Sequence, residues 1–315
     1  MRKILIADPV IPLITEELSR LGFDCLFFRG GGKESLKDAV SGCEGIIVRS
    51  RTHVDREVIL SAPSLRFIAR VGAGMENIDS DVAAARGIAC LNSPEGNRGA
   101  VAEHALGMLL SLLNHLNRAD RQVRAGRWLR EENRGTEIQG KTVGIIGYGN
   151  MGGAFARRLA GFSAEVISYD KYKTGYSDAF TREVTLGEIF SRADIVSLHV
   201  PLTPETRHMV DDTFLSRFRK KIWLINTSRG PVVDTSALVR HLAGGNLLGA
   251  ALDVLEYEDG SFEKLTTSLP VEMKALLEAD NVILSPHIAG WTKESEIKMA
   301  RVLVEKIGAL GSPAG

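Results

Sequence analysis

The 315 residues are enough for about two domains, since domains commonly hold roughly 100–200 residues. Hydrophobic residues make up 44% of the chain and charged residues 25%, which excludes a wholly disordered protein. The 39 basic and 39 acidic residues give a net charge of zero and form no basic block, so we expect no nucleic-acid partner.

Three further features indicate the class of protein. The longest strongly apolar stretch, residues 105–113, is far shorter than the roughly 18–20 residues that cross a bilayer, so we expect no membrane partner. The apolar run at residues 4–7 is broken by Asp8, which predicts a first strand rather than a signal peptide. The three cysteines are odd in number and far apart, which indicates a reducing, cytoplasmic setting and no metal site.

The first hundred residues alternate short apolar runs with helical patterns. Strands that alternate with helices form a parallel sheet, because the chain needs a crossover between parallel neighbours. This part of the chain is therefore predicted as an α/β domain. The predicted strands are residues 4–7, 25–28, 45–48 and 67–71, and the predicted helices are residues 11–21, 36–40 and 56–60.

A long helix is predicted to start near Glu95, because apolar residues recur at steps of three and four from residue 101 to residue 116. Residues 126–140 are polar and are predicted as a loop. A second α/β series follows, with a helix at residues 151–159. Its predicted strands are residues 142–146, 166–169, 195–198, 223–225, 249–252 and 282–284.

The two series predict two domains. We place a dinucleotide-binding domain at residues 97–289. The last 25 residues carry a helical pattern that we expect to return to the first domain. That first, substrate-binding domain would then be discontinuous and consist of residues 1–96 and 290–315.

The strongest local motif is a run of glycines after an apolar strand and before a helical pattern. Gly147, Gly149 and Gly152 have the G-x-G-x-x-G spacing of dinucleotide-binding turns. The first glycine allows the tight turn, the second lets a pyrophosphate approach the backbone, and the third lets helix and strand pack closely. The helix N-terminus at Asn150 and Met151 adds N–H groups and a partial positive charge. The motif predicts a bound dinucleotide.

An acidic residue predicts which dinucleotide is bound. Asp170 ends the next strand, 23 residues after Gly147. An acid at this position accepts hydrogen bonds from the adenosine ribose hydroxyls and repels the extra phosphate of NADP. We therefore predict NAD as the cofactor, while Lys171 and Lys173 beside Asp170 weaken that preference.

Three later segments bear side chains suited to acid–base chemistry. They are residues 226–234, 251–258 and 285–292, and each follows a predicted strand. The carboxyl ends of strands in an open α/β sheet face the ligand crevice. We therefore expect Arg229, Asp253 and His287 to converge at one edge of the sheet.

These segments, with VRSRT at residues 48–52, RVGAGMENID at residues 70–79 and HVPLTPET at residues 199–206, resemble the D-isomer-specific 2-hydroxyacid dehydrogenases. The D-3-phosphoglycerate dehydrogenase branch is the most similar. The resemblance implies two doubly wound parallel-sheet α/β domains, a flavodoxin-like substrate domain and a Rossmann NAD-binding domain. It implies NAD-dependent interconversion of a small D-2-hydroxy acid and its 2-oxo acid, with 3-phosphoglycerate and serine biosynthesis as the first expectation, in a homodimer.

The resemblance further implies that Arg229, Glu258 and His287 form the catalytic set. A histidine titrates near neutral pH and can take the hydroxyl proton, and a carboxylate beside it orients the ring and stabilises its charged form. The planar fork of an arginine suits a substrate carboxylate. Glu256 is the alternative partner, because Glu258 lacks the proline that usually follows it in the family and the stretch to Pro286 is long.

Other roles follow from the resemblance alone. Asp253 is expected to bind the nicotinamide carboxamide. The further cofactor-binding residues that the resemblance implies are His199, Val200, Pro201, Thr206 and Thr227. The substrate-binding residues that it implies are Arg49, Ser50, Arg70, Gly72, Ala73 and Gly74. Among them, Arg49 and Arg70 match positions that resemble phosphate-contacting arginines in the phosphoglycerate branch.

Several alternatives remain open at this point. Met75-Glu76 replaces the usual aliphatic-Asp pair of the substrate loop, so glyoxylate, hydroxypyruvate, lactate-like acids and erythronate phosphate are alternative substrates. Outside the enzymes, the scaffold resembles NAD-sensing transcriptional co-repressors. We expect no regulatory domain after residue 315. His104 and His115 share a helix face and are expected to serve a helix interface.

Overall fold

A computed structural model describes residues 2–259, 261, 265 and 269–310. The chain divides into two compact units. We call Met1–Asn97 with Trp291–Gly315 the split unit, and Arg98–Gly290 the central unit. The boundaries fall one residue from those predicted at 96/97 and 289/290. No helix within the described ranges is both long and apolar enough to cross a membrane.

The bounds of the elements, in chain order, are as follows. The strands are β1 (Arg2–Ile6), β2 (Phe23–Phe27), β3 (Gly45–Val48), β4 (Phe67–Arg70), β5 (Ala89–Leu91), β6 (Thr142–Ile146), β7 (Glu165–Tyr169), β8 (Arg182–Glu183), β9 (Ile195–Leu198), β10 (Ile222–Asn226), β11 (Leu247–Leu252) and β12 (Val282–Leu284). The helices are α1 (Pro12–Arg20), α2 (Gly32–Val40), α3 (Arg56–Ser61), α4 (Ser80–Ala85), α5 (Pro94–Leu113), α6 (Leu116–Arg124), α7 (Asn150–Leu159), α8 (Leu186–Arg192), α9 (Asp212–Leu215), α10 (Thr235–Ala243), α11 (Val271–Glu278) and α12 (Lys293–Leu310).

The split unit is built on a five-stranded parallel sheet in the order β2-β1-β3-β4-β5. This is the flavodoxin-like order. Alternate residues of the central strands face opposite sides, so Ile46 and Val48 belong to one apolar core and Ile47 to the other. The first core includes side chains of α2 and α3, and the second includes side chains of α1 and α12.

The central unit is built on a seven-stranded parallel sheet in the order β12-β11-β10-β9-β6-β7-β8. The order reverses between β6 and β9, as in Rossmann folds, and ligands bind beyond the carboxyl ends of the strands at such a point. Alternation again divides the core, with Ile145 and Ile195 on one face and Val196 and Leu198 on the other. The predicted fold class is confirmed.

The long helix predicted from Glu95 is divided in the structure. The single long helix expected up to residue 116 ends at Leu113, and α6 starts at Leu116 after a break at His115, which has a φ of 52°. A left-handed residue cannot continue a right-handed helix. Asp211 caps α9 by accepting a hydrogen bond from the Phe214 N–H at 2.7 Å.

Candidate active site

The glycine turn lies directly after β6. Gly147 has a φ of 92°, and a Cβ there would lie 2.5 Å from the carbonyl oxygen of His199. A Cβ on Gly152 would overlap the carbonyl oxygen of Gly147. The turn is therefore tight, because the first glycine touches the segment after β9 and the third touches the turn itself.

The N-terminus of α7 is open on its outer side. Gly149 is the N-cap residue, and no side chain caps the helix. A Cβ built on Gly149 meets no atom of the chain within 4 Å. The helix begins with Asn150 and Met151. Backbone N–H groups of its first turn can therefore donate hydrogen bonds to an anion.

Asp170 follows β7 and is held by the glycine turn. Its carboxylate accepts hydrogen bonds from the N–H groups of Tyr148 at 2.9 Å and Tyr172 at 3.0 Å. The two neighbouring lysines both have partners: Lys171 is paired with Glu205, and Lys173 donates to the Tyr148 carbonyl at 2.9 Å. The carboxylate of Asp170 is thus fixed beside the predicted phosphate site, while both lysine charges are bound elsewhere.

In the segment after β9, the imidazole ring of His199 is buried. The ring of His199 packs against Phe155, with centroids 5.6 Å apart, and Ser197 Oγ lies 2.9 Å from its Nε2. Burial lowers the pKa of His199 to about 4, so the ring is a neutral part of the core. The predicted contact of His199 with a cofactor would have to use its backbone.

The rest of this segment forms a compact loop. Val200 lies against Gly147, with its Cγ1 3.2 Å from the position that a Cβ would take there. The Thr206 hydroxyl donates to the Pro201 carbonyl at 2.6 Å and accepts from the Thr203 N–H at 2.8 Å. The loop is therefore closed by its own hydrogen bonds. The adenosine contacts predicted for these residues remain a prediction.

His287 and Glu258 form a close pair. His287 Nδ1 lies 2.7 Å from Glu258 Oε2. Because an ionised carboxylate only accepts hydrogen bonds, the proton between the two side chains belongs to Nδ1 of His287. The other carboxylate oxygen of Glu258 accepts a hydrogen bond from the Leu255 N–H, which fixes the orientation of the side chain.

Glu256, the alternative partner, points to a different imidazole. Its Oε1 lies 2.7 Å from His208 Nε2, and its Oε2 accepts a hydrogen bond from the Thr235 N–H at 3.0 Å. The structure therefore brings Glu258, and not Glu256, to His287. Within the unusual stretch after Glu258, residues 260, 262–264 and 266–268 lie outside the described residues.

Arg229 lies after β10, at the start of a short turn. Its guanidinium donates to the Ser228 carbonyl at 2.6 Å, and Asn226 Nδ2 donates to the Arg229 carbonyl at 3.0 Å. Glu258 follows β11 and His287 follows β12, and these three strands are neighbours in the sheet. The three predicted catalytic residues therefore all follow the carboxyl ends of adjacent strands.

Asp253 is almost fully enclosed, with 1% of its surface exposed. Its carboxylate accepts hydrogen bonds from Ser285 Oγ at 2.6 Å, the Ile288 N–H at 2.9 Å and the Ala289 N–H at 2.8 Å. Burial opposes ionisation, but the nearby His104 ring and the hydrogen bonds from Ser285 and the backbone outweigh it and lower the pKa of Asp253. In this structure the carboxylate holds the turn that bears His287, and its predicted contact with nicotinamide remains a prediction.

The predicted substrate residues lie in the split unit. Arg49 and Ser50 follow β3, and Arg49 lies 3.2 Å from Glu296 Oε1, with its guanidinium stacked over Trp291 at 4.6 Å. Arg70, at the end of β4, is buried and donates to the carbonyls of Arg49 at 3.1 Å and Gly74 at 2.6 Å. This arrangement differs from that expected of a phosphate ligand, because Arg70 braces two loops.

The loop after β4 also has internal partners. The Gly72 N–H donates to Ser93 Oγ at 3.2 Å, and the Ala73 carbonyl accepts from Asn92 Nδ2 at 2.7 Å. The N–H of Gly72 is thus already bound, although the family resemblance implies that N–H groups of this loop bind a substrate carboxylate. That role is untested for all three residues of the loop.

Comparison with known proteins identifies the family. Residues 106–289 match the model of the D-isomer specific 2-hydroxyacid dehydrogenase NAD-binding domain. The chain belongs to the D-isomer-specific 2-hydroxyacid dehydrogenase family. The resemblance noted in the sequence is confirmed, and so is NAD as the cofactor of the matched domain.

Relatives of the family differ in their named substrates. D-3-phosphoglycerate dehydrogenase of Archaeoglobus fulgidus is 33% identical over 97% of the chain and 56% of its own length. Hydroxypyruvate reductase of Thermotoga maritima is 35% identical over 87% of both chains. The D-lactate dehydrogenase structure from Aquifex aeolicus, with NAD and lactic acid, has a TM-score of 0.82 and 28% identity, and the match covers 98% of this chain and 95% of that one. The chain spans little more than half the length of the phosphoglycerate dehydrogenase.

The central unit fits the dinucleotide that this family binds. The space over Gly149 and the uncapped start of α7 provide room and donors for a pyrophosphate. The hydroxyl oxygen of Thr227 is buried and has no hydrogen-bond partner among the described residues. A buried polar atom without a partner is costly, so a ligand group there would stabilise the site.

Two residues of the site escaped the sequence analysis. His104 lies on α5, and its Nε2 lies 2.9 Å from Ser285 Oγ and 3.4 Å from Asp253 Oδ1. The sequence assigned His104 to a helix interface, which is wrong for its ring in this structure. The sequence offers one signal for this contact. Ser285 lies two residues before His287 and directly after a strand, where its hydroxyl is near the other strand ends.

Proposed function

We propose that the protein is an NAD-dependent oxidoreductase that interconverts a small D-2-hydroxy acid and its 2-oxo acid. The observation that carries this proposal is the 2.7 Å pair of His287 and Glu258, placed after β12 and β11, which follow β10, the strand of Arg229, in the order of the sheet. The same unit contains the glycine turn. An imidazole–carboxylate pair, an arginine and a dinucleotide site are the groups that this reaction requires.

Each residue of the set has a distinct task. In the oxidation, the hydroxyl proton passes to Nε2 of His287, and Glu258 stabilises the resulting imidazolium through Nδ1. Arg229 binds the substrate carboxylate and polarises the oxygen that becomes a carbonyl. Bound NAD supplies the acceptor for the hydride. In the reduction, His287 returns the proton to the forming alkoxide. A positioned proton transfer of this kind contributes about 10²–10⁴-fold to the rate.

The substrate we propose first is 3-phosphoglycerate, with 3-phosphohydroxypyruvate as its oxo form. The support comes from relatives named for that reaction at about one-third identity. In the split unit, Arg49 is the arginine we assign to the phosphate, since 18% of its side chain is exposed whereas Arg70 is buried. A phosphate would then compete with Glu296 for the Arg49 guanidinium.

The second candidate substrate is an unphosphorylated oxo acid such as hydroxypyruvate or glyoxylate. Two observations favour it. Arg70 is committed to backbone carbonyls, and the Arg49 charge is balanced by Glu296. A hydroxypyruvate reductase is also among the relatives that match over most of both chains.

We further propose a homodimer in the cytoplasm. No side chain of α6 is buried, although the helix contains Leu116 and Val123, which are about half exposed, and Trp128 beyond it is 77% exposed. Exposed apolar side chains that are clustered along one segment favour contact with another copy. The cytoplasm is supported by the cysteines, since Cys25, Cys43 and Cys90 are all free thiols in the described part of the chain.

One panel tests the proposed function. The purified protein is offered NADH with 3-phosphohydroxypyruvate, hydroxypyruvate, glyoxylate, pyruvate and 2-oxoglutarate, and the loss of NADH absorbance is followed. Turnover that is fastest with the phosphorylated acid, and a rise in KM for that acid alone in Arg49→Gln, support the first substrate. NADH binding without turnover of any acid contradicts the enzyme and favours an NAD-sensing protein. Light scattering of the same sample tests the dimer.

A further inference from the structure

We propose that His104 is a positioning residue for the His287–Glu258 pair and that it acts through Ser285 and Asp253. The proposal rests on the proposed function for its effect on turnover, but the hydrogen-bond chain itself is a property of the protein alone. His104 lies on α5, whose neighbouring residues Ala105 and Met108 are buried in the core of the central unit. The packing of the helix therefore fixes the backbone position from which the His104 side chain extends.

The direction of the hydrogen bonds follows from the number of protons. Ser285 Oγ lies 2.6 Å from Asp253 Oδ1 and 2.9 Å from His104 Nε2. The carboxylate only accepts, so the single hydroxyl proton of Ser285 goes to Asp253. Ser285 Oγ must then accept from His104, which places a proton on Nε2. The chain runs from His104 Nε2–H to Ser285 Oγ–H to Asp253 Oδ1.

Asp253, which this hydrogen-bond chain holds in place, in turn binds the backbone around His287. Its carboxylate accepts the N–H groups of Ile288 and Ala289, and its carbonyl accepts the N–H of His287 at 2.7 Å. One aspartate thus binds three consecutive N–H groups, starting with that of His287. The position of the imidazole depends on how firmly Asp253 is held.

The backbone of His287 needs such support. Its φ is 55°, in the left-handed region, which is strained for a residue with a side chain. Strained residues persist where the surrounding contacts determine them completely. Removal of the His104 donor leaves the Ser285 hydroxyl free to rotate away from the carboxylate. The turn then relaxes, and the distance from His287 Nδ1 to Glu258 lengthens.

The variants are chosen to separate the loss of a donor from the loss of a ring. His104→Phe fills the space without a donor, whereas His104→Gln retains an N–H near the position of Nε2. Ser285→Ala breaks the chain at its second member. His241→Phe is the matched control, since His241 is buried on α10 with its Nε2 at the same 3.4 Å from a carboxylate oxygen, that of Asp212.

The first readout is the Nδ1 proton of His287 in the NMR spectrum of the ligand-free protein, assigned by its loss in Glu258→Gln. We expect this signal to broaden or vanish in His104→Phe and Ser285→Ala, and to remain in His104→Gln and His241→Phe. The second readout is kcat, which we expect to fall about 10–100-fold in the first two variants with NADH affinity within twofold, because small displacements of a reacting group cost up to about 10²-fold.

The outcomes distinguish this proposal from the proposed function. An unchanged His287 signal in Ser285→Ala or His104→Phe overturns the positioning role, whatever the activity. Absence of turnover in the unmodified protein overturns the dehydrogenase, while the NMR test of the chain still stands. If His104→Phe fails to fold, Ser285→Ala and His104→Gln decide the matter. A double variant of both residues should lose no more than either single one, and additive losses would count against a shared chain.

Discussion

His287 Nδ1 lies 2.7 Å from Glu258 Oε2, and Glu256, two residues before Glu258, is engaged by His208 at the same distance. These two imidazole–carboxylate pairs both lie in the central unit, and their neighbours differ. Glu258 follows β11, which adjoins the strand of Arg229, and His287 follows β12 on the other side of β11, while Glu256 also accepts the N–H of Thr235 at the start of α10. The first pair is suited to proton transfer and the second to fixing a helix start.

Glu258→Gln and Glu256→Gln should therefore have different effects. The amide at position 258 cannot stabilise an imidazolium, so kcat should fall by about 10²-fold or more, within the range of general acid–base catalysis. The amide at position 256 retains a hydrogen-bonding group for His208, and kcat should stay within about threefold. Steady-state turnover of the best oxo acid of the panel measures both. Equal losses in the two variants would show that the proton carrier is wrongly assigned.

The glycine turn gives a second pair of variants. Gly152→Ala places a methyl group on the Gly147 carbonyl, so it should lower the midpoint of thermal unfolding as well as NADH affinity. Gly149→Ala adds a methyl group in open space, with a φ of −98° that alanine tolerates. It should leave stability unchanged and weaken NADH binding alone. Calorimetry of unfolding and of NADH binding checks both, and a destabilised Gly149→Ala protein would contradict the open cradle.

Cofactor selectivity should depend on Asp170, because the lysines beside it are bound by Glu205 and by the Tyr148 carbonyl. Asp170→Ala removes the charge that repels a ribose phosphate. Two charges about 4 Å apart near a protein surface repel by up to about 4 kcal/mol, and each 1.4 kcal/mol is about tenfold in affinity. The ratio of NADPH to NADH affinity should therefore rise by about tenfold to a thousandfold. Asp178→Ala, which removes a different acid bonded to Tyr148, is the control. An unchanged ratio after Asp170→Ala would exclude Asp170 as the selectivity residue.

Much of the fold could be predicted because its signals are local. Apolar runs marked the buried strands, and three glycines in fixed spacing marked the turn after β6. The contact between His287 and Glu258 was predicted from the resemblance, since 29 residues separate them in sequence. The short strand β8 escaped prediction, because two residues with polar side chains carry no periodic pattern.

The side-chain partners were harder to predict. The sequence suggested that Arg70 binds phosphate, but its guanidinium braces two loop carbonyls. His104 received a helix-interface role, but its ring meets Ser285, 181 residues away. Such choices depend on which group is within 3 Å after the sheet has formed, and neither composition nor spacing encodes that distance.

The buried ring of His199 predicts how stability depends on pH. Its pKa is about 4 in the folded protein, where burial disfavours the charged ring, and 6.5 is the ordinary value for the unfolded chain. The unfolded state therefore binds more protons between these values, and stability is complete above pH 6.5 and falls as the pH drops towards 4. At pH 5 this loss should be about 2 kcal/mol.

Urea unfolding at pH 7.5 and pH 5 of the unmodified protein and of His199→Gln measures this loss, since the variant lacks the titration of His199. Gln at this position lowers stability at both pH values by removing the contact with Phe155, so the quantity compared is the change between the two pH values. That change should be smaller in the variant by about 2 kcal/mol, and an equal change in both proteins would show that the ring titrates normally in the folded state.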